Sequence, residues 1–252
     1  MTKSANRRPI NLSVVIPTLN EERYLARTLD SLCGYSSPEV IVVDASLNDY
    51  TKKVASEYAT LYDLKYARSP KQDIGYQRNL GAKLAKNERL LFLDADTLVG
   101  KGALEACSYL NGGPLFVASI RHIPDRDSLS TRVGMLVINA LILLCRAVGL
   151  PVTNGDFILT NKQTHQAIGG FKEGYLLGED TDFGLRARQA GAKTLIMWKH
   201  HVVASSRRLS TMSVPSLVWT WSRAYIRAIF VGPTPRNGDV TYPFGNWGSE
   251  GR

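Results

Sequence analysis

Apolar runs recur along the first half of the chain, and each gives way to a stretch with helical spacing. LSVVIPT (12–18) reads as a strand, and EERYLARTLDSLC then sets Leu25, Leu29 and Leu32 on one helical face. VIVVDAS (40–46) is a second strand followed by the helix TKKVASEYA, and LKYARS (64–69) a weaker third followed by the helix GYQRNLGAKLAK. RLLFLDAD is the fourth strand; a helix near 100–110 and the strand LFVASIR (115–121) complete this half. Strands that are apolar almost throughout, alternating with amphipathic helices, predict an α/β fold with a mostly parallel central sheet covered by helices on both faces. Ligands of such sheets bind outside the carboxyl ends of the strands.

The second half is less regular. GDFILTNKQTHQAIGGF reads as a short strand, a helix and a glycine turn; GEDTDFGLRARQAGAKTLIMW reads as an acidic helix start, a helix ended by Gly191 and a strand. Carboxylates in a first helical turn are favoured by the helix dipole, so capping alone would account for Glu179, Asp180 and Asp182. VGMLVINALILL (133–144) stops at Cys145-Arg146, short of the roughly 20 apolar residues that span a bilayer, and is expected to be a core or interfacial helix. VPSLVWTWSRAYIRAIFV (214–231) is amphipathic, with Ser216, Thr220, Arg223 and Arg227 on one face and Leu217, Val218, Trp221, Tyr225 and Ile229 largely elsewhere. Such a helix either packs on its own domain or lies in a membrane interface. The expected organisation is one domain over 1–232, with a ligand-binding half (10–120) and a second half with apolar and amphipathic helices (121–232). A Gly-, Pro- and Asn-rich irregular tail follows over 233–252.

Three predicted strands end in polar chemistry: the first in Pro17-Thr18-Leu19-Asn20-Glu21, the second in Asp44, the fourth in Asp94-Ala95-Asp96. In a parallel sheet these ends share one edge. One strand-end aspartate is ordinary turn chemistry; three together mark a site. The net charge of +9 is uneven, with eight Lys/Arg against two Asp/Glu from Lys193 to Arg252. A basic surface suits phosphate-bearing ligands or an anionic membrane, and equally a solvated face. No nucleic-acid-binding motif accompanies it. Three widely spaced cysteines (Cys33, Cys107, Cys145) predict no disulfide framework and a reducing compartment. MTKSANRRPINLS lacks an apolar core, so no signal peptide and a cytoplasmic protein are expected.

Five ordered stretches, VVIPTLNEERYLARTLDSL, VIVVDASLND, YQRNLGAKLAKNERLLFLDADT, GDFILTNKQTHQAIGGF and GEDTDFGLRARQAGA, span roughly residues 12–192. Together they resemble glycosyltransferase family 2, enzymes of the GT-A nucleotide-sugar-binding fold. The resemblance implies inverting transfer of a sugar from a nucleoside diphosphate sugar, a UDP- or GDP-sugar, with an acceptor-side C-terminal extension. It places Pro17, Thr18 and Glu21 against the nucleoside, Asp44 on the base and Arg78 near the nucleotide. It places Asp94, with Ala95, at ribose or metal, and Asp96 as a ligand of Mg²⁺ or Mn²⁺ beside the diphosphate. Asp180 becomes the general base that deprotonates the acceptor, and Glu179 supports it. His201, after His200, is the residue in line for a further metal ligand, or a packing histidine. Arg207-Arg208 is a candidate grip on a phosphate, or two solvated arginines.

The chemistry is coherent by itself. A single displacement needs a base on the acceptor side and charge stabilisation on the leaving side. One departure from the family pattern is Val-Asp-Ala-Ser at 43–46, which lacks a second acidic residue after Asp44. The apolar region 121–153 points to a lipid-linked acceptor, a polyprenyl phosphate or glycolipid, met at the membrane surface. Rival readings are weaker. A haloacid dehalogenase-type phosphatase would carry its aspartate pair on the first strand with one more residue before the threonine. A nucleotidyltransferase would need a glycine-rich loop where PTLNEERYL stands. A catalytically silent binding protein would have little use for Asp44, Asp94, Asp96 and Asp180 together.

Overall fold

The structure is a computed structural model that describes residues 8–33, 36–126, 128–147, 150, 153–205 and 214–236. Ten strands and eight helices are seen among them. In chain order these are β1 (Arg8–Thr18), α1 (Glu22–Leu32), β2 (Ser36–Asp44), α2 (Tyr50–Glu57), β3 (Asp63–Arg68), α3 (Ile74–Leu84), β4 (Arg89–Leu93), β5 (Leu98–Val99) and α4 (Ala103–Tyr109). They continue as β6 (Phe116–Pro124), α5 (Leu129–Ala147), β7 (Phe157–Asn161), α6 (Lys162–Ala167), β8 (Tyr175–Leu177), α7 (Glu179–Gln189), β9 (Lys193–Ala204), α8 (Val214–Phe230) and β10 (Thr234–Pro235).

The large sheet has the order β3-β2-β1-β4-β7-β6-β9-β5. β3, β2, β1 and β4 are mutually parallel, as are β6 and β9; β7 runs against β4 and β6, and β5 against β9. The expectation of a mostly parallel sheet holds, with β7 as the antiparallel insertion that stitches the two halves together.

The apolar runs conceal a period of two. Leu12, Val14 and Ile16 face one core with Val40, Val42, Leu91, Leu93, Phe157 and Leu159; α1 and α4 contribute Leu25, Leu29, Leu32 and Leu104 to it. Val15, Ile41, Val43, Leu90, Phe92 and Ile158 face the other, with Phe171, Phe183 and Ala187. Successive side chains point to opposite faces, and with helices on both sides both faces are mostly apolar, with buried polar groups such as Ser13 and Glu39 bonded to each other. In the second core Phe171 stacks on Phe183 at 4.2 Å, and Phe92 meets Phe171 edge-on at 4.9 Å. α3 sits so close to β1 that a Cβ at Gly81 would lie 2.1 Å from Val15 Cγ1. Gly81→Ala is therefore expected to destabilise the chain by about 1–3 kcal/mol, the usual cost of overpacking. Urea denaturation checks this as a lower midpoint at unchanged slope.

Element limits differ from the sequence reading in an informative way. β1 begins before Leu12, and β2 runs over Ser36–Asp44 rather than 40–46, because the apolar pattern marks where a strand is buried and not where backbone pairing begins or ends. Past Gly232, β10 pairs antiparallel with β8, and the Arg236 N–H donates to the Gly174 carbonyl. Ordered chain thus continues four residues into the segment expected to be irregular; 237–252 lie outside the described residues. The apolar stretch 133–144 lies within α5, and among the described residues no helix is long and apolar enough to cross a membrane. The three cysteines are free thiols.

Candidate active site

From β1 the chain runs outward through β2 to β3 and then returns to β4 on the other side of β1, so a crevice opens at the carboxyl ends where the strand order reverses. A cavity of about 500 Å³ occupies it. Of the residues proposed from sequence, Pro17, Thr18, Glu21, Arg78, Asp94, Ala95, Asp96, Glu179 and Asp180 all line this cavity.

The ends of β1, β2 and β3 are tied by backbone bonds, Ala45 N–H to the Thr18 carbonyl at 2.9 Å and Ser69 N–H to the Asp44 carbonyl at 2.7 Å. Gln77 on α3 donates to the carbonyls of Thr18 at 2.9 Å and Val43 at 2.7 Å. Asp44 is fully buried and does not line the cavity. Its Oδ1 accepts from Ser46 Oγ at 2.6 Å, Ser46 N at 3.0 Å and Thr18 Oγ1 at 3.1 Å. Its Oδ2 accepts from Tyr66 at 2.8 Å and faces Arg68 at 3.4 Å. A carboxylate offers about four lone-pair sites; here they bind neighbouring strand ends together.

At the end of β4 the chain turns at once. Thr97 N–H donates to the Asp94 carbonyl at 3.1 Å, and Thr28 holds the Ala95 carbonyl at 2.7 Å, leaving the carboxylates of Asp94 and Asp96 partly exposed on the cavity wall. β7 is registered against β4 with Phe157 opposite Leu93, which brings Gly155-Asp156 beside the turn; Asp94 N–H donates to the Asp156 carbonyl at 3.2 Å.

Arg78 is the hub. Its side chain is 1% exposed. Nη1 donates to Glu179 at 2.9 Å, and Nη2 to Asp94 at 3.3 Å and to the Gly155 carbonyl at 2.7 Å, while the guanidinium lies 5.1 Å from the centre of the Phe171 ring. Burial alone would lower its pKa, but Glu179, Asp94 and Asp180 hold it above the ordinary value. α7 is capped by Gly178, at φ 86°, where a Cβ would meet Ala228 of α8 at 3.2 Å. Its first turn presents Glu179 to Arg78 and Asp180 to the cavity, with Thr153 holding the Asp180 carbonyl at 2.6 Å. Burial first, and then the Glu179 carboxylate, push the Asp180 carboxyl up to about 7; Arg78 and the N–H groups of Thr181 and Gly155 pull it back. Asp182 turns away to Arg186 and Lys172, so its part is structural.

The opposite wall is apolar: Met135, Ile138, Leu141 and Ile142 from α5, with Trp221, Tyr225 and Ile226 from α8. Asp94 and Asp96 suit a hard divalent cation, which commonly takes one or two carboxylates and completes its shell with water and substrate phosphate. Among the described residues no group of three His, Cys, Asp or Glu stands ready to hold a metal. His201 is not among the lining residues; its carbonyl accepts from Gly100 N–H at 3.0 Å, and a Cβ at Gly100 would meet its ring at 2.9 Å. Arg207 and Arg208 lie outside the described residues.

Sequence reasoning missed Gln77, His122 and Asp156, which also line the cavity. The apolar run LFVASIR stops one residue before His122, and Asp156 falls within the short strand stretch GDFILT. Asp156 directly precedes β7, whose antiparallel run starts at the edge where β4 ends, and that position marks it; His122 lies inside β6, and only the register beyond the bulge in β9 turns it to the cavity.

Against known proteins, the model of glycosyl transferase family 2 matches residues 13–167. The 4,4'-diaponeurosporenoate glycosyltransferase of Staphylococcus haemolyticus is 30% identical over 83% of this chain, and the chain spans 66% of that relative, just under two thirds of its length. Among solved structures, Staphylococcus aureus TarS 1–349 in complex with UDP-GlcNAc superposes with a TM-score of 0.60 at 21% identity, over 91% of this chain and 68% of that one. The mannosyltransferase PcManGT of Pyrobaculum calidifontis, in complex with GDP-Man and Mn²⁺, gives 0.68 at 19% identity over 90% of this chain and 66% of its own. These likenesses show the GT-A fold. With its strand-end carboxylates and acidic helix in the family's order and the family's model matched over more than half its length, this chain belongs to glycosyltransferase family 2.

Proposed function

We propose that the chain is a metal-dependent inverting glycosyltransferase that moves a sugar from a UDP- or GDP-sugar to an acceptor hydroxyl or phosphate. The observation that carries this reading is the lining of one cavity by Asp94 and Asp96 and, across the buried Arg78, by Asp180. Pro17, Thr18 and Glu21 lie along the nucleoside side. Asp96 and Asp94 would hold Mg²⁺ or Mn²⁺. A divalent cation there would neutralise charge that builds on the departing diphosphate. On the acceptor side, the Asp180 carboxylate takes the proton of the acceptor hydroxyl as its oxygen attacks the anomeric carbon. The bond from that carbon to the diphosphate breaks, and the nucleoside diphosphate leaves with the electron pair. Arg78 fixes Glu179 and Asp94 relative to each other and to the Gly155 loop, which holds both halves of the reaction in register.

The acceptor is read as lipid-linked, a polyprenyl phosphate or glycolipid, met by a cytoplasmic protein peripheral to the membrane. The apolar wall of α5 and α8 supports this. So do the exposed Leu129, Leu136 and Leu144 on α5, and Trp219, Ile226 and Phe230 on α8. Leu141 and Ile226 are exposed and also line the cavity, so the surface patch and the cavity wall are continuous. Neither helix carries Asp or Glu, while Arg132, Arg146, Arg223 and Arg227 offer partners for anionic headgroups. Radiolabelled UDP-GlcNAc and GDP-mannose with Mn²⁺ test the reading, offered with liposomes containing polyprenyl phosphate or glycolipid and, separately, with soluble sugars. Label in the lipid phase is expected; label only in soluble product would overturn the lipid acceptor.

A further inference from the structure

The cavity holds one polar pair that the donor, metal and base roles leave unused. β6 and β9 lose register between Ile120 and Arg121: Ile120 pairs with Met197 and Arg121 with His201, so β9 bulges by three residues. Such bulges re-aim side chains. Just past this one, His122 borders the cavity with its ring 2% exposed and Nε2 2.9 Å from Asp156 Oδ1. Asn139 of α5 clamps the strand at that point, accepting from His122 N–H at 3.2 Å and donating to its carbonyl at 2.8 Å. Asp156 itself is partly exposed on the cavity wall, and the buried histidine fixes its orientation.

Its position is defined from both sides. The Asp156 carbonyl accepts from Asp94 N–H at 3.2 Å, and the preceding Gly155 lies against Arg78 and Asp180, a Cβ there meeting Asp180 Oδ2 at 3.4 Å. Asp156 thus sits between the carboxylate assigned to the diphosphate side and the one assigned to the base. In a displacement at the anomeric carbon, the sugar ring lies between those two groups. We propose that Asp156, braced by the positioning residue His122, accepts hydrogen bonds from hydroxyls of the transferred sugar and so helps determine which sugar the site takes. This rests on the donor reading above. A carboxylate suits the task because hydrogen bonds to a charged acceptor are stronger than neutral ones, and a site built around a hydroxyl discriminates against donors that misplace it.

The test compares a nucleotide with its own sugar conjugate in one protein, by titration calorimetry with Mn²⁺. The probes are UDP against UDP-GlcNAc and GDP against GDP-mannose, on wild type, Asp156→Asn, His122→Ala and His122→Gln. Asp156→Asn is expected to weaken the preferred nucleotide sugar about 10-fold while the free nucleotide keeps its affinity within about 2-fold. Ten-fold corresponds to about 1.4 kcal/mol, which the loss of a charged hydrogen-bond acceptor supplies. His122→Ala should follow in the same direction, and His122→Gln, which keeps an N–H donor, should recover part of the loss. Nucleotide binding doubles as the check on folding. Equal losses for nucleotide and nucleotide sugar, or no loss for either, would overturn the assignment. A wild type that binds neither kind of ligand would overturn the donor reading beneath it.

Discussion

Asp180→Asn is expected to lower kcat by about 10³-fold, within the 10²–10⁴ that general-base catalysis typically contributes, while nucleotide-sugar affinity changes little. The substitution keeps the size of the side chain at the start of α7 and removes its basicity. The pH dependence carries the assignment further. With the Asp180 carboxyl pushed up to about 7, kcat/KM of the wild type should rise about tenfold per pH unit below that value and level off above it. Stability should run the other way. The folded chain holds this proton more tightly than an unfolded one, whose carboxyl titrates at 3.8, so the contribution of Asp180 to stability is present at low pH and is lost as pH rises toward about 7. Urea midpoints measured against pH should therefore fall less steeply across that window in Asp180→Asn than in the wild type. A rate profile unchanged by Asp180→Asn would remove Asp180 from the chemistry.

Arg78→Met is the second large effect, and it acts on folding first. Arg78 is the cation shared by Glu179 and Asp94, and Glu179 is itself 6% exposed. Methionine fills most of the volume, but it strands a buried carboxylate and leaves the Gly155 carbonyl without its donor. Removing one member of a buried pair costs about 3–5 kcal/mol, a large part of the 5–15 kcal/mol by which domains are stable. The check is equilibrium denaturation, with a large drop in midpoint expected. Arg78→Lys should fall between, because an ammonium keeps the charge but cannot reach Glu179, Asp94 and the Gly155 carbonyl with one planar fork. Arg78 also pulls the Asp180 carboxyl down through its charge, so where Arg78→Met folds, the acidic limb of its rate profile should move to higher pH, and Arg78→Lys, which keeps the charge, should move it less.

What the sequence discloses and what it hides follow from the range of the interactions. Strand existence and the parallel half of the sheet are written in local pattern, because burial on both faces demands runs such as Leu90–Leu93. The strand-end carboxylates were legible for the same reason: a parallel sheet puts its carboxyl ends on one edge. Asp44 shows the limit. Its position at a strand end was read correctly, yet Thr18, Ser46, Tyr66 and Arg68 converge on its carboxylate and turn it into a brace between strands. No local feature distinguishes such an aspartate from one that faces a ligand. His201 and His122 show the same limit across a sheet. Arg121 pairs with His201, and side chains alternate along a strand, so His122 takes the other face and borders the cavity. That depends on a bulge no spacing rule reveals. The His122–Asp156 bond joins residues 34 apart in sequence, which only the folded register brings together. The apolar wall was legible in composition, as VGMLVINALILL, but not its placement opposite the aspartates.

The central claim is that the carboxyl ends of β1 and β4 bind a nucleoside diphosphate sugar through a cation held by Asp94 and Asp96. The most direct test is a thermal-shift panel of UDP-, GDP- and dTDP-sugars with and without Mn²⁺ or Mg²⁺, on wild type and Asp96→Asn. A ligand that binds only the folded chain raises its melting temperature by mass action, with about 2.7 kcal/mol at a hundred times its Kd. The account predicts a shift for one nucleotide class that requires metal and disappears in Asp96→Asn. A panel with no shift under any condition, or a shift indifferent to metal and retained in Asp96→Asn, would contradict it.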